Sequence, residues 1–153
     1  MHINQLSLKE ISTSVFFGAL LYFVNVSFIS WMFAAYPETQ ALVFGKGTWW
    51  LGAALSVKVV YVGLIGPVFE ELVFRRALLG YFAGRGQQIF GLALSTILFG
   101  GYHLLFGWGM LKAVLMIVPG LVFGVMFLKY GFKGCLTCHL SNNILAVWAL
   151  ANS

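Results

Sequence analysis

Three sets of polar residues interrupt an otherwise apolar chain: Glu70, Glu71 and Arg75; His103; and His139, Asn142 and Asn143. Carboxylates and imidazoles exchange protons with water, and amides donate hydrogen bonds. Gathered in a dry site, such groups would suit proton-transfer chemistry. Their spacing decides how each set can be presented. Glu71 and Arg75 are four residues apart and can pair on one helical face; His139 and Asn143 share that spacing and can enter the same cavity. Glu70 points roughly 100° away from Glu71 around a helix, so it can face a different partner. Gly100 and Gly101, just before His103, would let a neighbouring helix approach closely.

The elements that must position these groups are membrane spans. The chain has 153 residues, 61% of them hydrophobic and 8% charged, with a mean hydropathy of +0.94. Soluble domains carry about 25% charged residues. A chain this poor in charge could not cover its apolar surface in water. The length allows a single membrane domain, residues 1–153. The net charge of +5 is not a nucleic-acid footprint, because the nine Lys and Arg residues are scattered between apolar runs. The two cysteines, Cys135 and Cys138, do not indicate a disulfide framework.

A spanning helix needs about 20 apolar residues. The composition predicts spans at about 14–36, from Trp49 and Trp50 to about 82, and at about 88–106, 111–128 and 134–150. Pro37 and Glu38 close the first, which is too long for a signal-peptide core. The second exceeds one span, and Pro67 is its expected kink. The fold class expected is therefore all-α, a polytopic transmembrane bundle of about five helices, with a four-helix core at about 57–147. With the amino terminus in the cytoplasm, Lys9, Arg75, Arg76, Arg85, Lys129 and Lys133 fall on or toward the inner side. Lys46 and Lys112 then fall outside, and Lys58 lies within a span. This bias predicts a cytoplasmic amino terminus and an external carboxyl terminus.

Charges within a span are costly, by at least ~2.5 kcal/mol each, and persist where they pair or do chemistry. By helical rise, Glu70 lies roughly 18 Å from the inner end of its helix, His103 roughly 22 Å, Asn143 roughly 14 Å and His139 roughly 8 Å. One polar chamber in the inner half of the membrane, open toward the cytoplasm, can hold them. The bland alternative is that Asn and His merely bond helices together. Two Glu, two His and an Asn in one chain favour a functional site.

Read in order, Glu70 to Arg75 is EExxxR, Phe99 to His103 is FxxxH, and His139 to Asn143 is HxxxN. This ordered set on successive membrane helices resembles the CPBP family, the CAAX proteases and bacteriocin-processing enzymes. The resemblance implies an intramembrane endopeptidase with a peptide or membrane-protein substrate. It implies that Glu70 activates the hydrolytic water and that His103 binds or polarises it. It further implies that His139 and Asn143 stabilise the oxyanion, and that Glu71 and Arg75 hold the geometry. A carboxylate in a low-dielectric site is a good base, and donors aimed at an oxyanion lower the barrier. No cofactor is expected; the rival is zinc held by Glu70, His103 and His139. Because the chain is short, it is similar to small bacterial members of the inner membrane. For these, the second reading is a non-catalytic immunity or partner-binding protein of the same fold. The substrate and the oligomeric state are not legible.

Cys135, Cys138 and His139 also read CxxCH, a haem-attachment pattern. Haem attachment occurs outside the cytoplasm, whereas the charge bias sets this segment near the inner face, so haem is disfavoured. Both cysteines are expected to be small packing residues.

Overall fold

A computed structural model describes residues 6–46 and 54–152 of the chain. Trp49 and Trp50, expected to open the second span, lie outside the described residues. Helix α1, Leu8–Ala35, starts six residues before the predicted span. Ser7 caps it: its hydroxyl accepts from the Glu10 amide at 3.3 Å, while the Glu10 carboxylate accepts from the Ser7 amide at 2.8 Å. This reciprocal box satisfies two amides that the first turn leaves without partners. A short helix, α2 (Thr39–Phe44), follows the turn at Pro37.

Helix α3 covers residues 55–83 in the described chain and is not uniform. Wide π-helical turns occupy Tyr61–Ile65 and Glu71–Leu79. Pro67, the expected kink, has no amide hydrogen to bond the preceding turn. The wide turn immediately upstream absorbs that break. Helix α4, Gln88–Tyr102, tightens into a 3-10 turn at His103–Phe106 and stops at Gly107, whose φ of 79° suits glycine. The short α5 is Met110–Leu115.

The run Ile117–Ala151 is broken at Gly131, where φ is 69° and ψ −167°. It forms α6 (residues 117–130) and α7 (132–151). Phe123 and His139 show that the two lie antiparallel. Their rings stack with centroids 4.1 Å apart, whereas sixteen residues of straight helix would separate them by about 24 Å.

Among the described residues, three helical runs are long and apolar enough to cross a membrane: Leu8–Ala35, Gln88–Phe106 and Met110–Ala149. The third is the one folded at Gly131. Helix α3 is not among them and carries Lys58, Glu70, Glu71, Arg75 and Arg76. The polarity of the bundle is inverted relative to a soluble protein. Phe16, Ile97 and Trp148 are 61%, 61% and 65% exposed, while Glu71 and Arg75 are 0% exposed. Apolar side chains face outward and the charged pair faces inward, as a lipid surround requires. Leu21, Phe74, Phe99, Phe123, Met126, Cys135 and Cys138 form the core. The cysteines are thus packing residues, as expected.

Small residues set the helix spacing. Gly18 on α1 rests against the Cys138 carbonyl of α7, and a Cβ there would lie 2.8 Å from Ser141 Cβ. A Cβ on Gly120 of α6 would lie 3.1 Å from Phe99 and 3.3 Å from the Thr96 carbonyl of α4. These close approaches set α1 against α7 and α6 against α4.

Candidate active site

The Glu71 and Arg75 side chains pair across one turn of α3, with Nε and Oε2 3.4 Å apart. The guanidinium also donates from Nη2 to the Gly120 carbonyl at 3.0 Å and lies over the Phe99 ring, 4.2 Å from its centroid. Arg75 therefore ties α3 to both α4 and α6. A planar cation with several fixed donors can do this; a single ammonium would satisfy fewer partners.

His139 of α7 completes the cluster. Its Nδ1 donates to Glu71 Oε1 at 2.8 Å, and its Nε2 lies 3.7 Å from Glu70 Oε2. Since a carboxylate only accepts, the Nδ1 proton belongs to this bond and the ring is held with Nε2 toward Glu70. Stacking on Phe123 at 18° from parallel, with Phe99 edge-on at 6.0 Å, fixes the ring plane. Despite their angular separation the two glutamates approach the same imidazole, one at each ring nitrogen, and differ in exposure. The Glu71 side chain is 0% exposed and that of Glu70 is 16% exposed, so Glu70 retains access.

His103 stands on the other side of Phe99, with ring centroids 5.3 Å apart. Its Nδ1 donates to the Phe99 carbonyl at 3.0 Å, one helical turn back, which leaves Nε2 for another partner. His103 and His139 thus both pack edge-on against the same phenyl ring.

Asn143 is held differently. Its Nδ2 donates to the Val62 carbonyl at 2.8 Å, and its Oδ1 accepts from Asn142 Nδ2 at 2.9 Å. The backbone explains why Val62 needs this bond. The Gly66 amide, which would reach Val62 in an α-helix, bonds Tyr61 in the wide turn. The next residue, Pro67, has no amide hydrogen. Asn143 supplies the missing donor to this half-buried carbonyl.

The structure thus joins Glu70, Glu71, Arg75 and His139 by direct contacts, adds His103 through Phe99, and anchors Asn143 two turns along α3. By residue count the group sits near mid-depth. His139 is eight residues from Gly131, while His103 is three residues from Phe106. Phe123, the Gly120 carbonyl and the Val62 carbonyl carry no polar signature in the sequence, and the apolar α6 had been assigned no site group. Among the described residues, no three His, Cys, Asp or Glu side chains converge as metal ligands.

The family model described as type II CAAX prenyl endopeptidase Rce1-like matches residues 52–145. That stretch is more than half of the chain and contains all three polar sets. No curated protein and no solved structure matches.

Proposed function

From the premise that this chain belongs to the type II CAAX prenyl endopeptidase Rce1-like family, we propose that it is an intramembrane endopeptidase that hydrolyses peptide bonds with a glutamate-activated water. One observation carries the reading. Of two adjacent carboxylates, Glu71 is fully buried by Arg75 and His139, while Glu70 keeps access and faces His139 Nε2 across 3.7 Å. That gap is too long for a hydrogen bond, and a water beside it can bond both groups.

In this mechanism Glu70 takes one proton from the water as its oxygen bonds to the substrate carbonyl carbon. The carbonyl electron pair moves onto oxygen. His103, held through Nδ1, directs Nε2 toward the water. The second amide hydrogen of Asn143 donates to the oxyanion, and His139 does so from Nε2 as the imidazolium that keeps its Nδ1 hydrogen on Glu71. The carbonyl then re-forms, the C–N bond breaks, and the proton held by Glu70 passes to the departing nitrogen. Glu70 is left ionised, and one water has been consumed. Glu71 and Arg75 keep His139 in position and do not touch substrate.

The charge bias supports a cytoplasmic amino terminus in a multi-pass cell-membrane protein. The test compares membranes of cells carrying the wild-type chain and Glu70→Gln. New peptide termini that appear only with the wild type are expected. An identical set of termini in both would eliminate the hydrolase reading and favour the immunity or partner-binding role.

A further inference from the structure

One amide beside this cluster has no part in the mechanism above. Asn142 lies on α7, three residues beyond His139 and next to Asn143. Its Nδ2 donates to Asn143 Oδ1 at 2.9 Å. Its own Oδ1 is buried and, among the described residues, has no hydrogen-bond partner. A buried amide with only one end satisfied costs free energy. An amide kept to join helices would bond across to another helix, as Asn143 does to Val62. The Asn142 bond instead stays within α7 and ends on its neighbour, so its effect falls on Asn143.

That neighbour has an orientation to keep. An asparagine amide turned end for end has almost the same shape but exchanges donor for acceptor. Turned that way, Asn143 would set Oδ1 against the Val62 carbonyl and present an acceptor, not a donor, to an oxyanion. In the structure each end has a partner: Nδ2 gives to Val62 and Oδ1 receives from Asn142. One hydrogen on Nδ2 is left over. Donation into Oδ1 also draws electron density from the nitrogen and strengthens that remaining N–H as a donor, as linked hydrogen bonds do. We propose that Asn142 is a positioning residue: it locks the Asn143 amide with Nδ2 toward α3 and so presents the second hydrogen to the oxyanion. The assignment rests on the hydrolase reading and adds to HxxxN a residue at a position that pattern leaves open.

The test uses the full chain in detergent micelles and a quenched fluorogenic farnesylated peptide. Asn142→Leu is close in size but lacks the donor, whereas Asn142→Gln keeps an NH2 group one methylene further out. Asn142→Leu is expected to lose about 10-fold in kcat, less than the roughly 10²–10³-fold of deleting an oxyanion donor outright, with KM little changed. Asn142→Gln should recover most of that loss. Isotopic labelling of the asparagine side-chain nitrogens gives a second readout that needs no turnover. The Asn143 NH2 resonances, assigned by their loss in Asn143→Leu, should exchange with deuterium markedly faster in Asn142→Leu and near the wild-type rate in Asn142→Gln. A lowered melting temperature with unchanged kcat makes Asn142 a packing group and overturns the proposal. Equal losses of kcat in the Leu and Gln variants overturn it too, as does an unchanged exchange rate in Asn142→Leu. If exchange behaves as expected but the wild type leaves the peptide intact, the lock on Asn143 stands and the hydrolase reading fails.

Discussion

Asn143 on α7 hydrogen-bonds the Val62 carbonyl on α3 at 2.8 Å, filling a vacancy left by the wide turn and by Pro67. A residue implied by family resemblance to serve an oxyanion thus also repairs a helix. Its replacement should act on stability as well as turnover. Asn143→Leu leaves a half-buried carbonyl without its donor and should destabilise the chain by about 1 kcal/mol. Pro67→Ala restores an amide hydrogen on α3, so the loss from Asn143→Leu should shrink in that background. Thermal unfolding of the four members of this cycle in micelles measures the coupling; strictly additive losses would contradict it.

The two glutamates should separate fold from chemistry. Glu71→Gln strands the Arg75 guanidinium, and breaking a buried pair in this way costs about 3–5 kcal/mol. Glu70→Gln should melt within a few degrees of the wild type and lose roughly 10²–10⁴-fold in cleavage rate, the range of a general base. Melting and turnover measured on the same preparations check both halves.

Arg75→Lys keeps the charge but loses the planar group that lies 4.2 Å from the Phe99 centroid and donates to Gly120. The expected result is a clear loss of stability despite an intact formal ion pair, since the two cations are not interchangeable at a stacked site. A melting temperature equal to the wild type's would show that charge alone suffices.

Gly18 and Gly101 make a matched pair of probes. A Cβ at Gly18 meets the α7 backbone, whereas one at Gly101 meets nothing within 4 Å. Gly18→Leu should push α1 away from α7 and lower the melting temperature, while Gly101→Ala should be tolerated. Cysteine crosslinking between α1 and α7, in a background lacking Cys135 and Cys138, reports the separation directly.

The helical, membrane-embedded character of the chain was legible because charge is scarce and apolar runs match the bilayer. The polar residues were legible because they are expensive there. Glu71 with Arg75 followed from i,i+4 spacing alone; the angle between Glu70 and Glu71 suggested separate partners, whereas both approach His139, because the ring offers a nitrogen to each. Phe123 was not legible, because nothing distinguishes a stacking ring from its apolar neighbours on α6. Val62 acts through its backbone, which no side-chain pattern reports. The early start of α1 was readable in Ser7-x-x-Glu10, a capping pattern hidden by attention to hydropathy.

Gly131 has a consequence for the whole chain. Without its positive φ, the 35-residue run Ile117–Ala151 could continue as one rod. Such a rod would be about 52 Å long against a hydrocarbon slab of about 30 Å. His139 would leave Phe123 and both glutamates, and the last helix would emerge from the opposite leaflet. One residue lacking a side chain therefore sets the parity of membrane crossings, and with it the compartment in which the carboxyl terminus ends.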